Sequence, residues 1–141
     1  GTAAVEAALF APVMVLFLLG AIDVGQYANI YQVISNASAE GARVACRQDT
    51  TAVQAAVVEY LQDAVPSTAD ADIANSATVY AWGIAQDEMA DTSEVLDDVA
   101  NSESGTPVIV FVSLPYDTVR WVTGFGYLGG SVGTWTIMRR E

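Results

Sequence analysis

Hydrophobic positions fall into three regimes along this chain. Residues 7–22 carry no charge, reading Ala-Ala-Leu-Phe-Ala-Pro-Val-Met-Val-Leu-Phe-Leu-Leu-Gly-Ala-Ile between Glu6 and Asp23. With the residues just before Glu6, the apolar length reaches the ~20 residues with which a helix spans a bilayer core. From there to Arg47 the pattern narrows to a stripe. Ile30, Val33, Ile34, Ala37, Gly41, Val44 and Ala45 recur at three- and four-residue spacing, while Gln26, Asn29, Gln32, Asn36, Glu40, Arg43 and Arg47 fall mostly elsewhere. One continuous helix over residues 2–47 is expected, about 70 Å long at the helical rise per residue. Its first half is apolar all round and its second half amphipathic. Pro12 removes a helical hydrogen bond and crowds the carbonyl of Ala8, and Gly20 is a poor helix former, so the helix is expected to be weakest between residues 8 and 20.

The third regime is a mixture of short elements. Residues 48–63 predict a second helix, with Asp49 or Thr50 as N-cap, a buried stripe of Val53, Ala56, Val57, Tyr60, Leu61 and Ala64, and Pro66 as the stop. Residues 67–74 read as turn-rich and acidic. The spacing Asp70-x-Asp72-x-x-Asn75 lacks the glycine and terminal glutamate of a calcium loop. Three strands are expected at residues 77–84, 108–114 and 132–138. The second is nearly continuous apolar, as a central strand would be, and is bracketed by Pro107 and Pro115. The third alternates, with Val132, Thr134, Thr136 and Met138 on one face and Gly133, Trp135 and Ile137 on the other. The fold class is therefore α+β. The long N-terminal helix packs against a small head with a second helix and an antiparallel sheet of three to four strands, dividing the chain into an anchor and spine at residues 1–47 and a head at residues 48–141.

Two connections are long. Residues 86–106 carry Asp87, Glu88, Asp91, Glu94, Asp97, Asp98 and Glu103 with no base among them, and read as a solvated outer excursion. Within it Thr92 is a possible cap for a short helix whose apolar residues are Val95, Leu96 and Val99. Residues 116–130 interleave Trp121, Val122, Phe125, Tyr127 and Leu128 with glycines. Such an apolar loop either fills the head's own core or, through Trp121 and Phe125, contacts a neighbouring subunit.

Composition sharpens the reading mainly by exclusion. The 141 residues contain 17 Asp and Glu, five Lys and Arg and no His, a net charge of −12. That balance argues against nucleic acid as a partner, because phosphate contacts need clustered Lys and Arg. Without histidine or lysine the usual base and nucleophile pairs are missing, so an enzyme is not expected, and neither is a cofactor or a metal site. The single cysteine, Cys46, reads as a small buried apolar side chain of the long helix, incapable of an internal disulfide.

The opening Gly1-Thr-Ala-Ala-Val-Glu-Ala-Ala-Leu-Phe-Ala-Pro12 and the later Gln32-Val-Ile-Ser-Asn-Ala-Ser-Ala-Glu-Gly-Ala-Arg43 resemble type IV pilin-like proteins, closest to the TadE-like pilins and pseudopilins of tight-adherence systems. In such proteins a prepilin peptidase cuts beside a glycine a few residues before a glutamate, and the hydrophobic helix is kept. A locally unravelled segment near a helix-breaking residue is common in pilins of this class, so the resemblance implies a kink or short melt between residues 8 and 20. Gly1 is thus the expected processing position. Because Gly1 itself is the first residue, the resemblance implies either a cut one residue upstream of the usual point or a differently acting peptidase.

The function expected from these features is that of a structural subunit of an extracellular type IV-like or tight-adherence pilus, polymerising through its N-terminal helix and serving adhesion or surface attachment. Expected partners are other copies of the chain in a helical homopolymer, the inner membrane before assembly, and the prepilin peptidase with the assembly machinery. The alternative is a membrane-anchored minor pseudopilin, or an anchored periplasmic module that forms no filament. Gly1, Thr2, Glu6 and Pro12, with Trp121 and Phe125, are the expected assembly residues. Glu6 stands out because a carboxylate at the edge of hydrocarbon costs several kcal/mol unless it is paired. Arg43 and Arg47 lie about 55 to 60 Å along the helix from it. By resemblance its partner is the terminal amine of an adjacent subunit.

Overall fold

The computed structural model describes residues 1–65, 70–83, 99, 104–119 and 128–140. The first element, α1, runs Thr2–Ala45 as a single helix of 44 residues. It passes through Pro12 without interruption, so the expected melt between residues 8 and 20 is absent. Proline removes one backbone bond, and strong helix formers on either side, such as Ala8, Leu9, Met14 and Leu16, keep the rest. The helix closes slightly short of the expected Arg47. Cys46 donates its N–H to the Ala42 carbonyl at 3.1 Å, and Gln48 returns to Val44 at 2.8 Å.

The chain then reverses into α2, Thr50–Ala64. Asp49 caps it as the sequence predicts, its Oδ1 accepting the Ala52 N–H at 2.9 Å. Val53, Val57 and Leu61 are buried, and Ala56, Tyr60 and Ala64 are half-buried at the margin of the stripe. Where α2 crosses α1, Gly41 is what allows the approach. A Cβ there would lie 2.6 Å from Val57 Cγ2 and 3.1 Å from Val110 Cγ1, closer than real side chains pack.

A short helix, α3, spans Asp70–Ser76 where turns were expected. Ile73, fully buried, explains the difference, since one large apolar side chain drawn into the core outweighs the weak helix propensity of Asp, Asn and Ser.

Three antiparallel strands follow: β1 at Thr78–Gly83, β2 at Pro107–Pro115 and, after a further short helix α4 at Tyr116–Val119, β3 at Ser131–Arg139. Their order is β1-β2-β3. The continuously apolar β2 is central, and both bracketing prolines lie within it as its end residues. The sheet closes at one end through Arg140 N–H to the Thr106 carbonyl and Gly105 N–H to the Arg140 carbonyl, each 2.9 Å. Gly105 takes φ of 88° there, a conformation that glycine adopts without steric cost.

Strand alternation sorts the sheet into two faces. Val79, Val108, Val110, Val112, Leu114 and Val132 are buried against the helices and form one core with Ile30, Ile34, Ala37, Ala42 and Ala45 of α1 and the apolar stripe of α2. On the far side, register places Tyr80, Phe111 and Trp135 in one row and Trp82, Ile109 and Ile137 in the next. Tyr80 and Phe111 stack with centroids 6.4 Å apart. Trp135 is 68% exposed.

Three sequence expectations change in this frame. Val99, the described residue of the 86–102 stretch, is fully buried. At that point, therefore, the acidic excursion returns to the core; the proposed Thr92 cap, with Val95 and Leu96, lies outside the described residues. Residues 116–119 are not loop but α4, with Tyr116 and Val119 buried. Cys46 caps the end of α1, half-buried, and its Sγ donates to the Arg139 carbonyl at 3.3 Å.

Candidate functional site

Residues 2–22 of α1 have no buried member, and only Leu19 and Gly20 are even half-covered. Phe17 is 78% exposed and Leu9 74%. This half of the helix is long and apolar enough to cross a membrane. Water would disfavour such a surface at about 25 cal/mol for each Å² left uncovered, so it identifies itself as a surface made to be covered by lipid or by protein.

Gly1, Thr2, Glu6 and Pro12 all lie on this uncovered half. Gly1 is the N-cap of α1 and brings no side-chain cap. Thr2 and Glu6 stand four residues apart, hence on one helix face. Among the described residues the salt bridge within the chain is Arg43 Nη1 to Glu40 Oε2, at 2.9 Å, far along the helix from Glu6. Trp121 and Phe125 lie outside the described residues.

The covered half of α1 begins abruptly at Asp23, which is 5% exposed. The Tyr116 hydroxyl donates toward Asp23 Oδ1 at 2.9 Å, with the Asp23 carbonyl oxygen at 3.1 Å, and the Leu128 N–H donates to Oδ2 at 3.0 Å. Tyr27 meets the Tyr116 ring edge-on, centroids 5.4 Å apart. Tyr116 N–H also reaches the Gly130 carbonyl at 2.8 Å. A buried carboxylate is costly unless hydrogen bonds satisfy it. Here those bonds come from both ends of the 116–130 connection and fasten it to the neck where α1 leaves the head.

Sequence reasoning treated Asp23 only as the border of the apolar run and missed this clamp. A signal was present. Asp23 lies four residues before Tyr27 and seven before Ile30, on the same face as the buried stripe, so a carboxylate there must be buried and must find donors. Two further contacts pin α1 to β3. The Ser38 and Thr136 hydroxyls are hydrogen-bonded, with Ser38 fully buried, and Cys46 meets Arg139 as described.

Among the described residues no group of three or more His, Cys, Asp or Glu side chains could hold a metal ion. A groove of about 360 Å³ flanks the neck between Ile22, Gly25, Asn29 and Val119, and an open cleft of about 750 Å³ between α1 and α2 is lined by Glu40, Glu59, Tyr60 and Asp63. No curated protein and no solved structure matches the chain. Residues 1–43, which take in all of the uncovered helix and most of its packed continuation, match the model of the TadE-like protein family, the family that the N-terminal residues resemble.

Proposed function

We propose that this chain is a pilin-type structural subunit, anchored in the membrane by the first half of α1 and then assembled into a type IV-like or tight-adherence filament around those helices. The observation that carries the reading is the division of α1 at Asp23. A helix that serves only its own head has no use for a protruding apolar half, whereas a filament core is built from such halves. The TadE-like match over residues 1–43 supports a structural, pilus-associated role, and adhesion or surface attachment is the purpose proposed for the filament at the cell surface.

In this reading each large side chain of residues 2–22 that moves from water into a packed bundle of neighbouring helices contributes about 1.5–3 kcal/mol. Glu6 supplies register. An incoming subunit placed out of step leaves its carboxylate and a neighbour's terminal amine both desolvated and unpaired, which is strongly unfavourable in a low-dielectric bundle. Prepilin peptidase and the assembly machinery act on the membrane-inserted precursor.

Electron microscopy of material sheared from cells producing the chain tests the proposal. Helical filaments are expected, and Glu6→Ala is expected to abolish or strongly reduce them while the precursor is still made, processed and inserted. Recovery of the wild-type chain only as a detergent-soluble monomer would overturn the filament reading in favour of an anchored minor pseudopilin. Normal filaments from Glu6→Ala would leave the glutamate as a boundary or processing signal.

A further inference from the structure

One surface of α1 is not interrupted by the division at Asp23. Past the neck, the exposed side chains of this helix sort into two lines. Asn29, Gln32, Asn36 and Arg43 make a polar one, and Val24, Ala28 and Tyr31 an apolar one, with Val24 59% and Tyr31 47% exposed. The apolar line advances in alternating four- and three-residue steps. Followed back in the same steps it meets Ala21, Phe17, Met14 and Phe10, all of them exposed. It is thus a single seam with the seven-residue repeat by which helices pack along one another. On the second half of α1 it occupies the flank between the stripe buried in the head and the polar line. Phe10, Phe17, Val24 and Tyr31 stand seven residues apart in one column, and Ala21 and Ala28 leave room in the column beside it.

We infer that this seam is a docking surface for the α1 helix of a second copy of the chain, lying alongside from the apolar half past the neck to Tyr31. The inference deepens the filament reading and rests on it. Three features select the occupant. Lipid can cover the first half of the seam but not the second, because Tyr31 lies about 13 Å beyond Ile22 along the helix, deeper into water than the roughly 5–8 Å polar layer of one leaflet reaches. The seam is continuous across that boundary, so its partner must be too, and a second α1 is a helix of the required length with an apolar line of the same repeat. Area points the same way. From Phe10 to Tyr31 with its alanines, the seam exposes about 800 Å², the amount that each partner gives to a stable interface.

The seam is also complementary to itself, since the large column of one copy can lie over the small column of another, as knobs over holes. A shift by whole seven-residue steps keeps the columns in phase. A staggered neighbour is therefore as well accommodated as a level one, and a staggered contact is heterologous, which repeated without closure gives an open helical polymer.

The test uses the full chain in the membranes of cells that produce it. A benzoylphenylalanine photocrosslinker at Val24, Ala28 or Tyr31 is expected to capture a second copy of the chain, with the captured residue on α1 by mass spectrometry of the joined fragments. The same group at Asn29 or Asn36 is expected to give little or none. Ala28→Glu is expected to lower capture from Val24 by about tenfold or more, because a charge desolvated between helices finds no partner there, whereas Asn29→Glu on the polar line leaves it unchanged. Head unfolding should be that of wild type in both variants, since both positions are exposed. Equal capture from the two lines, capture of lipid alone from Ala28 and Tyr31, joined fragments that lie outside α1, or undiminished capture in Ala28→Glu would each overturn the inference. Filament imaging separates the two readings. Filaments of normal yield from Ala28→Glu would remove the seam and leave the pilin reading intact, whereas seam-specific capture in a wild-type chain that never forms filaments would remove the pilin reading and keep the seam.

Discussion

The two halves of α1 share one backbone geometry and meet different surroundings. From Thr2 to Ile22 the helix carries one charge, Glu6, is otherwise apolar around its circumference and has no residue fully buried by its own chain, whereas from Asp23 onward one face supplies the core of a folded head. Helix propensity does not distinguish the halves, because alanine, leucine and methionine fill the first as well as any helix requires. What distinguishes them is the angular width of the apolar surface. A full cylinder needs partners all round, and a small head can offer only one side. The boundary between the halves is correspondingly sharp and is marked by a buried carboxylate rather than by a turn.

The largest effect should come from cutting at that boundary. Removing residues 1–22 is expected to abolish membrane retention and assembly while leaving a soluble folded head. Extending the cut through residue 25 also removes Asp23 and leaves the Tyr116 hydroxyl and Leu128 N–H without their acceptor. Each such loss costs about 1–3 kcal/mol, so the shorter head should unfold at a distinctly lower urea concentration. Equal midpoints for the two truncations would show that the neck is an ordinary helix end. Within the full chain Tyr116→Phe is expected to lower head stability by about 1.5–3 kcal/mol, the usual value of a hydrogen bond to a charged group, as read by denaturant titration.

Gly41→Ala sharpens the comparison from the packed side. The added methyl gains about 1 kcal/mol of helix propensity but strikes Val57 and Val110, and overpacking typically costs about 1–3 kcal/mol. A net loss of about 1 kcal/mol is expected, and a gain in stability would mean that α2 can step away from α1 freely. The smallest effect belongs to the uncovered half. Phe17→Ser should leave head unfolding within about 0.5 kcal/mol of wild type, since Phe17 touches nothing that the head buries. A larger shift would show that the stalk and the head unfold together.

Much of this division is legible in the residues. An uncharged run followed by a three-and-four stripe can be read directly, as can the Asp49 cap and a central strand as apolar as Val108 to Leu114. Alternation sorts Trp135 and Ile137 onto one face of β3, but which face turns outward is decided only by the packing of β3 against α1. What escaped were features decided by one side chain against its neighbours' propensities. Ile73 draws a turn-like sequence into α3. Tyr116, directly after a proline, is pulled into the core by a carboxylate remote in sequence. Glu6 and its neighbours, proposed here for assembly, lie on the uncovered helix where the pattern puts them, but Asp23 was hidden because charge is ordinarily evidence of exposure. Only its phase on the helix betrays it.

The contacts between α1 and the end of the chain have a mechanical consequence. Asp23 meets Leu128, Ser38 meets Thr136, and Cys46 meets Arg139. Read along α1 these attachments ascend in the same order as they do along the last segment of the chain, so that segment lies alongside the helix like a splint. Tension applied along α1 therefore loads all three fastenings together in shear, and the head yields only when they fail as a set. A sideways pull acts differently, opening the seam from Asp23 upward one fastening at a time. A subunit fastened in this way resists stretching far better than peeling, and its first point of failure under a lateral load is the carboxylate at the neck.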